Sequence, residues 1–173
     1  MGKITLVLGG ARSGKSSYAL KLVGRSARDK VAFVATCEAL DDEMKRRIAL
    51  HRKSRPRHWK TFLAAEKISP ILTRIGNDFN WIVIDCLTLF TSNMMLKRRP
   101  ERRIEEEAVK AVRLLKRKRA NSVIVSNEVG LGIVPDTKLG RDFRDIAGRV
   151  NQAVAREADS LFFMVSGIPW RIK

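Results

Sequence analysis

Five short apolar runs punctuate the chain: Ile4-Thr5-Leu6-Val7-Leu8, Val31-Ala32-Phe33-Val34-Ala35, Trp81-Ile82-Val83-Ile84, Val123-Ile124-Val125 and Leu161-Phe162-Phe163-Met164-Val165. Each is rich in β-branched or aromatic residues and is followed by Gly, Thr, Asp or Ser. A strand with one wet face alternates apolar and polar residues. A continuous apolar run instead suits a strand covered on both faces, as in a parallel sheet between helices. The intervening segments, roughly 16–24, 41–53, 64–75, 88–97, 101–119 and 140–158, have helical character. In the segment from Glu101 to Arg119, Ile104, Ala108, Val109, Ala111, Val112 and Leu115 recur at three- and four-residue spacing. Its acidic start and basic end suit the helix dipole. Strand alternating with helix predicts a doubly wound α/β fold, a mostly parallel sheet flanked by helices, as a single domain over 1–173.

The sequence shows no internal repeat, low-complexity tract or Pro/Gly/Ser linker. No apolar run approaches the about 18 residues of a membrane span. Cys37 and Cys86 form neither a CxxC pair nor a disulfide framework, and Met1 leads almost directly into the first strand, so a cytoplasmic protein is expected. Stretches near 54–60 and 129–139 carry Pro and Gly and are candidate active-site loops.

Specific chemistry begins at the end of the first run. Gly9-Gly10-Ala11-Arg12-Ser13-Gly14-Lys15-Ser16 fits G-x4-G-K-[ST], with a strand before it and a helix after it. Glycines let successive backbone N–H groups turn inward onto phosphate oxygens, and the helix adds its positive end. Lys15 is placed to reach the β/γ-phosphates and the Ser16 hydroxyl to ligate Mg2+, which makes the fold expected here P-loop NTPase-like. Asp85 closes the Trp81–Ile84 run, where a carboxylate supporting Mg2+ is expected; by itself an Asp in that position equally suits a plain turn.

His51 and His58 are the two histidines. Helical spacing puts Met44, Ile48 and His51 along one face, with Arg47 one turn away and Arg52 and Arg55 following. Guanidinium neighbours disfavour a protonated imidazole, so His51 is a candidate nucleophile toward an α-phosphorus, with the arginines stabilising the transferred group. A structural or solvated histidine is the rival for His51 on this argument alone. For His58, beside Trp59, packing or a backbone bond is the favoured role.

Charge widens the choice of partner before the motifs narrow it. Lys and Arg number 35 against 18 Asp and Glu, a net +17. Such an excess fits nucleic acid, a phosphate-rich small substrate or a solvated basic face, and composition does not choose among them.

The ordered set of motifs does choose. Gly9 to Ser16, Ala35-Thr36, Leu40-Asp41-Asp42-Glu43-Met44, Arg47-Ile48-x-x-His51-Arg52-x-x-Arg55-Pro56-x-x-Trp59-x-Thr61 and Asp85-Cys86-Leu87-Thr88 are followed by Ser126-Asn127-Glu128-Val129-Gly130-x-Gly132-Ile133-Val134-Pro135 and by Leu139-Gly140-Arg141-x-Phe143-Arg144-Asp145-x-x-Gly148-Arg149-Val150-Asn151-Gln152. Together they resemble the bifunctional adenosylcobinamide kinase / adenosylcobinamide-phosphate guanylyltransferase family of cobalamin biosynthesis, from about Ile4 to Lys173. The resemblance implies two reactions. ATP or GTP phosphorylates adenosylcobinamide; GTP then guanylylates a histidine, and the GMP passes to adenosylcobinamide phosphate to give adenosylcobinamide-GDP.

By the same resemblance the guanylylated histidine falls on His51, and Lys15 is the second catalytic residue. Nucleotide contacts fall on Gly9, Gly10, Ala11, Arg12, Ser13, Gly14, Lys15 and Ser16, on Ala35, Thr36 and Cys37, on Arg52, Lys53, Ser54 and Arg55, and on Asp85; Ser16 and Asp85 hold the metal. A homotrimer is also implied.

One position departs from the family pattern: Leu63 stands where a nucleotide-contacting Glu is usual, with Glu66 a candidate substitute. Glu128 divides between a metal or base role and loop architecture, and Arg141, Arg144 and Arg149 between phosphate contacts and ion pairs. The rival functions are a nucleic-acid-binding P-loop ATPase and a small-molecule kinase without the transferase step. Against nucleic acid stand 6% aromatic content, no separate binding motif and a chain too short for an added module.

Overall fold

The computed structural model describes residues 1–24, 29–38, 42–53 and 55–173, with the side chains of Glu43, Arg47 and His51 left out of the description. Seven strands form one sheet: β1 (Ile4–Gly9), β2 (Val31–Ala35), β3 (Lys60–Leu63), β4 (Trp81–Asp85), β5 (Asn121–Val125), β6 (Ser160–Val165) and β7 (Ile168–Arg171). Their spatial order is β3-β2-β4-β5-β1-β6-β7. All neighbouring pairs are parallel except β6 with β7, a hairpin at one edge. The helices are α1 (Lys15–Val23), α2 (Asp42–Lys53), α3 (Ile68–Arg74), α4 (Leu87–Leu96), α5 (Glu101–Lys116) and α6 (Lys138–Glu157).

The continuous apolar runs are explained by burial from both sides. Successive strand residues point to opposite faces, so Ile4, Leu6 and Leu8 enter one core cluster while Val7 enters another. The first is closed by α3, α4, α5 and α6 through residues such as Leu72, Phe90, Ile104 and Val150. The second is closed by Ala19 and Val23 of α1, with Phe33, Trp59 and Val83. The sequence segmentation differs from the fold mainly at β3 and β7, which the apolar pattern misses, and at α3, which begins at Ile68 because β3 and its exit occupy the preceding residues. α5 stops at Lys116, so 117–119 form the turn into β5.

This topology puts the site at one end of the sheet. The chain leaves β1 toward β2 on one side and returns to β6 on the other, and such a reversal opens a crevice at the carboxyl ends of the strands. The turns after β1, β2, β4 and β5 therefore meet at the same edge.

A candidate nucleotide site at the carboxyl ends of the strands

The loop from Gly9 to Ser16 bends where its residue types allow it. Gly9 and Gly14 have φ of 149° and 92°, which L side chains rarely adopt; Arg12, at φ 55°, occupies the left-handed region despite its side chain. Gly14 stands at the N-cap of α1 without a side-chain cap, so the first amides of that helix remain turned toward the loop. The loop is braced from outside by the β6–β7 turn, since Gly167 N donates to Ser13 O at 3.0 Å. An added Cβ on Gly14 would stand 3.2 Å from Gly167 Cα, so glycine also permits this close approach.

Lys15 is buried, and its ammonium donates to Gly10 O at 2.5 Å across the loop. Burial lowers the Lys15 pKa, an effect opposed by the nearby Cys86 and Asp85. An ammonium held across the loop by a backbone carbonyl is a cation preorganised for phosphate oxygens. Opposite it, Ser16 Oγ donates to Asp85 Oδ2 at 3.1 Å, joining the start of α1 to the end of β4. A cleft of about 600 Å³ runs along these groups, lined by Ala11 to Ser17, Asp85, Cys86, Leu89, Val125 and Asn127.

A second cavity, of about 150 Å³, adjoins Asp85 and is lined by Phe33, Ala35, Cys37, Met44, Ile48, Arg55 and Leu89. Met44 and Ile48 come from α2, which also carries His51 one turn further on. Arg55 lies with its guanidinium carbon 3.8 Å from the Phe33 ring centroid, and Trp59 packs on the same ring at 6.4 Å and 31°. Burial lowers the Arg55 pKa, while Asp85 raises it. Phe33 and Trp59 thus fix a cation at the border between the phosphate cleft and the α2 cavity. The sequence signal for this stack was present only as a strand phenylalanine and a loop tryptophan, whose pairing requires the fold.

The sequence-identified residues separate into those that reach the cleft and those that support it. Residues Gly9 to Ser16, Asp85, Ala35, Cys37 and Arg55 gather at its walls or backing. Thr36 is fully buried: its hydroxyl donates to Cys86 O at 2.7 Å and accepts from Cys86 N at 2.8 Å. Its backbone N donates to Asp85 O, and its carbonyl accepts from Asn93. Thr36 is therefore placed to hold the Asp85–Cys86 segment. Arg52 and Lys53 are exposed at the end of α2. Ser54 lies outside the described residues, as do Leu40, Asp41 and the side chain of His51. His58 is exposed.

Leu63 is exposed, and Glu66 accepts from Lys97 at 2.7 Å and from Arg99 at 3.3 Å. Those bonds hold the Glu66 carboxyl below its usual range and turn it toward the α4–α5 connection. Glu128 uses its backbone N on Gly9 O and its carboxylate on Gly130 N at 2.8 Å, closing its own loop. Arg144 pairs with Asp145, Arg149 with Glu101 and Glu105, and Arg141 donates to Pro135 O and Asp136 O.

Comparison with known proteins agrees with this geometry. Residues 5–172 match the model of the family described as cobinamide kinase / cobinamide phosphate guanyltransferase. The chain is 39% identical over 180 residues to the bifunctional adenosylcobalamin biosynthesis protein CobU of Escherichia coli, covering 97% of this chain and 98% of that one. It is 40% identical to the protein of the same name from Salmonella typhimurium, with the same coverage. Identity to the bifunctional adenosylcobalamin biosynthesis protein CobP of Pseudomonas aeruginosa is 39% over 168 residues, covering 97% and 96% of the two chains.

Proposed function

The chain belongs to the cobinamide kinase / cobinamide phosphate guanyltransferase family, and from that membership we propose that one cleft at the carboxyl ends of the strands carries both reactions of a bifunctional adenosylcobalamin biosynthesis enzyme. The observation that carries this reading is the convergence of Lys15, Ser16, Asp85 and Arg55 on a cleft that continues into the cavity beneath α2.

In the kinase step the Gly9–Ser16 loop and the Lys15 ammonium hold the triphosphate of ATP or GTP. The aminopropanol hydroxyl of adenosylcobinamide attacks the γ-phosphorus, loses its proton and displaces the nucleoside diphosphate. Ser16 and Asp85 offer two hard oxygen donors about one hydrogen bond apart, a set that suits Mg2+ completed by phosphate oxygens and water. The ion, when bound, neutralises charge on the phosphates.

In the transferase step an imidazole nitrogen of His51 attacks the α-phosphorus of GTP. A P–N bond forms, the P–O bond to pyrophosphate breaks, and Arg55, braced by Phe33 and Trp59, stabilises the charge moving through the phosphates. A phosphate oxygen of adenosylcobinamide phosphate then attacks the same phosphorus. The P–N bond breaks, adenosylcobinamide-GDP forms, and His51 is restored.

The same reading includes a cytoplasmic homotrimer. Ile168 and Trp170 on β7, with Ile172 beyond it, lie at alternate positions on one side and are exposed at the sheet edge, a surface suited to a second copy. Among the described residues no helix is long and apolar enough to cross a membrane.

Incubation with α-32P-GTP tests the transferase assignment. The wild type is expected to retain acid-labile, base-stable GMP, and His51→Ala to retain none. Equal labelling of His51→Ala would show that another residue is the nucleophile.

A further inference from the structure

The segment that follows β5 combines two properties that rarely occur together: it is fastened at many points, and it presents bare apolar side chains. At its start, Asn127 N donates to Thr88 Oγ1 at 2.6 Å, Glu128 N donates to Gly9 O at 3.0 Å, and the Glu128 carboxylate closes on Gly130 N. At its end, the Arg141 guanidinium donates to Pro135 O and Asp136 O, and Thr137 caps α6 through Gly140 N. Gly140 is held so close to Pro135 that an added Cβ would stand 2.7 Å from Pro135 Cβ. Yet Leu131, Ile133 and Val134 between these fastenings are 78%, 95% and 55% exposed. A loop fixed by its own hydrogen bonds has no folding reason to display three aliphatic residues in water, and such a patch marks a binding surface.

Its location selects the occupant. Asn127 lines the phosphate cleft, and Glu128 is bonded to the first glycine of the phosphate loop, so the patch begins at the rim of the cleft. A protein seated there would cover the opening through which the phosphoryl acceptor must enter. The cleft of about 600 Å³ has the size of a nucleotide site. A corrinoid, with a broad methyl-fringed ring and amide arms, is too large to follow its reactive hydroxyl inside. Its ring must rest on a surface continuous with the rim, and that surface needs apolar contacts with backbone amides between them.

We propose that Leu131, Ile133 and Val134 form the surface on which the corrin ring of cobinamide and cobinamide phosphate rests, with the aminopropanol arm reaching past Asn127 to the phosphates. The proposal depends on the functional reading above.

The double variant Leu131→Ser/Ile133→Ser tests it. Both side chains are exposed, so the fold is expected to survive, as checked by circular dichroism and thermal melting. The expected result is a KM for adenosylcobinamide and for adenosylcobinamide phosphate raised tenfold or more, the scale of losing one or two buried aliphatic contacts. GMP labelling from α-32P-GTP without corrinoid is expected to keep its rate and yield. Unchanged corrinoid KM values would overturn the proposal. So would a rise in KM that accompanies loss of assembly by light scattering, since the patch would then join copies of the chain. Failure of the functional reading has a different signature: the wild type itself would accept no corrinoid.

Discussion

Thr36, expected from the sequence to contact nucleotide, is instead fully buried behind the cleft. Its amide, carbonyl and hydroxyl are all committed to Asp85, Cys86 and Asn93, so its influence on a nucleotide passes through the position of Asp85. A threonine after a strand reads the same in the sequence whether it contacts a ligand or supports a neighbour, and here its burial and hydrogen bonds give it the supporting role. Cys86, the residue Thr36 clasps, differs in kind from Cys37. Burial, with Asp85 adding to it, raises the Cys86 thiol to about 12. A raised pKa keeps the proton on a thiol, so Cys86 stays neutral and unreactive through pH 7–10, whereas a thiol in the unfolded chain ionises near 8.5. Titration of the native protein with a disulfide reagent at pH 8 is expected to modify Cys37 only, and Cys86 is expected to react after denaturation. Rapid modification of Cys86 in the native protein would mean that the end of β4 opens to solvent.

Elements were legible in proportion to how completely they are buried. β1, β2, β4, β5 and β6 carry the continuous apolar runs because both of their faces meet core residues. β3 and β7 stand at the two edges of the sheet; Lys60 and Leu63 are exposed, as is every residue of β7, so neither strand had a burial pattern to announce it. The phosphate loop was legible because its chemistry is local. The Phe33–Arg55–Trp59 stack was not, because it joins a strand to residues more than twenty positions away. A similar non-local tie fixes the cleft from behind. Asn93, buried on α4, donates to Thr36 O at 2.8 Å and to Ala65 O at 3.1 Å, clipping together the exits of β2 and β3. Asn93→Leu keeps the number and branching of side-chain heavy atoms and leaves the buried Thr36 carbonyl and the part-buried Ala65 carbonyl without their donor, a loss of about 1–3 kcal/mol. Urea unfolding is expected to shift its midpoint downward by the corresponding amount. A midpoint equal to that of the wild type would show that these carbonyls find other donors.

At the scale of the molecule, the net +17 divides by position along the strands. Arg12, Lys15 and Arg55 lie at the carboxyl ends, around the phosphate cleft. Lys97 and Arg99 are neutralised in part by Glu38 and Glu66. The run from Lys116 to Arg119 leads into β5 and therefore sits at the amino ends, where Lys118 O accepts from Gly2 N and Lys118 Nζ donates to Ile75 O. A strand of five or six residues spans roughly 17–20 Å. Exposed charges interact over a screening length of about 8 Å at physiological ionic strength. The distal basic run is thus more than two screening lengths from the cleft and adds little to nucleotide affinity, although it can attract a polyanion by itself. The protein is expected to be retained on heparin and released by moderate salt. Saturating heparin fragments too short to span both ends are expected to leave the rate of GMP labelling from α-32P-GTP unchanged at 150 mM salt. Inhibition competitive with GTP under those conditions would make the basic surface continuous with the nucleotide site, and the division of charge by strand end would fail.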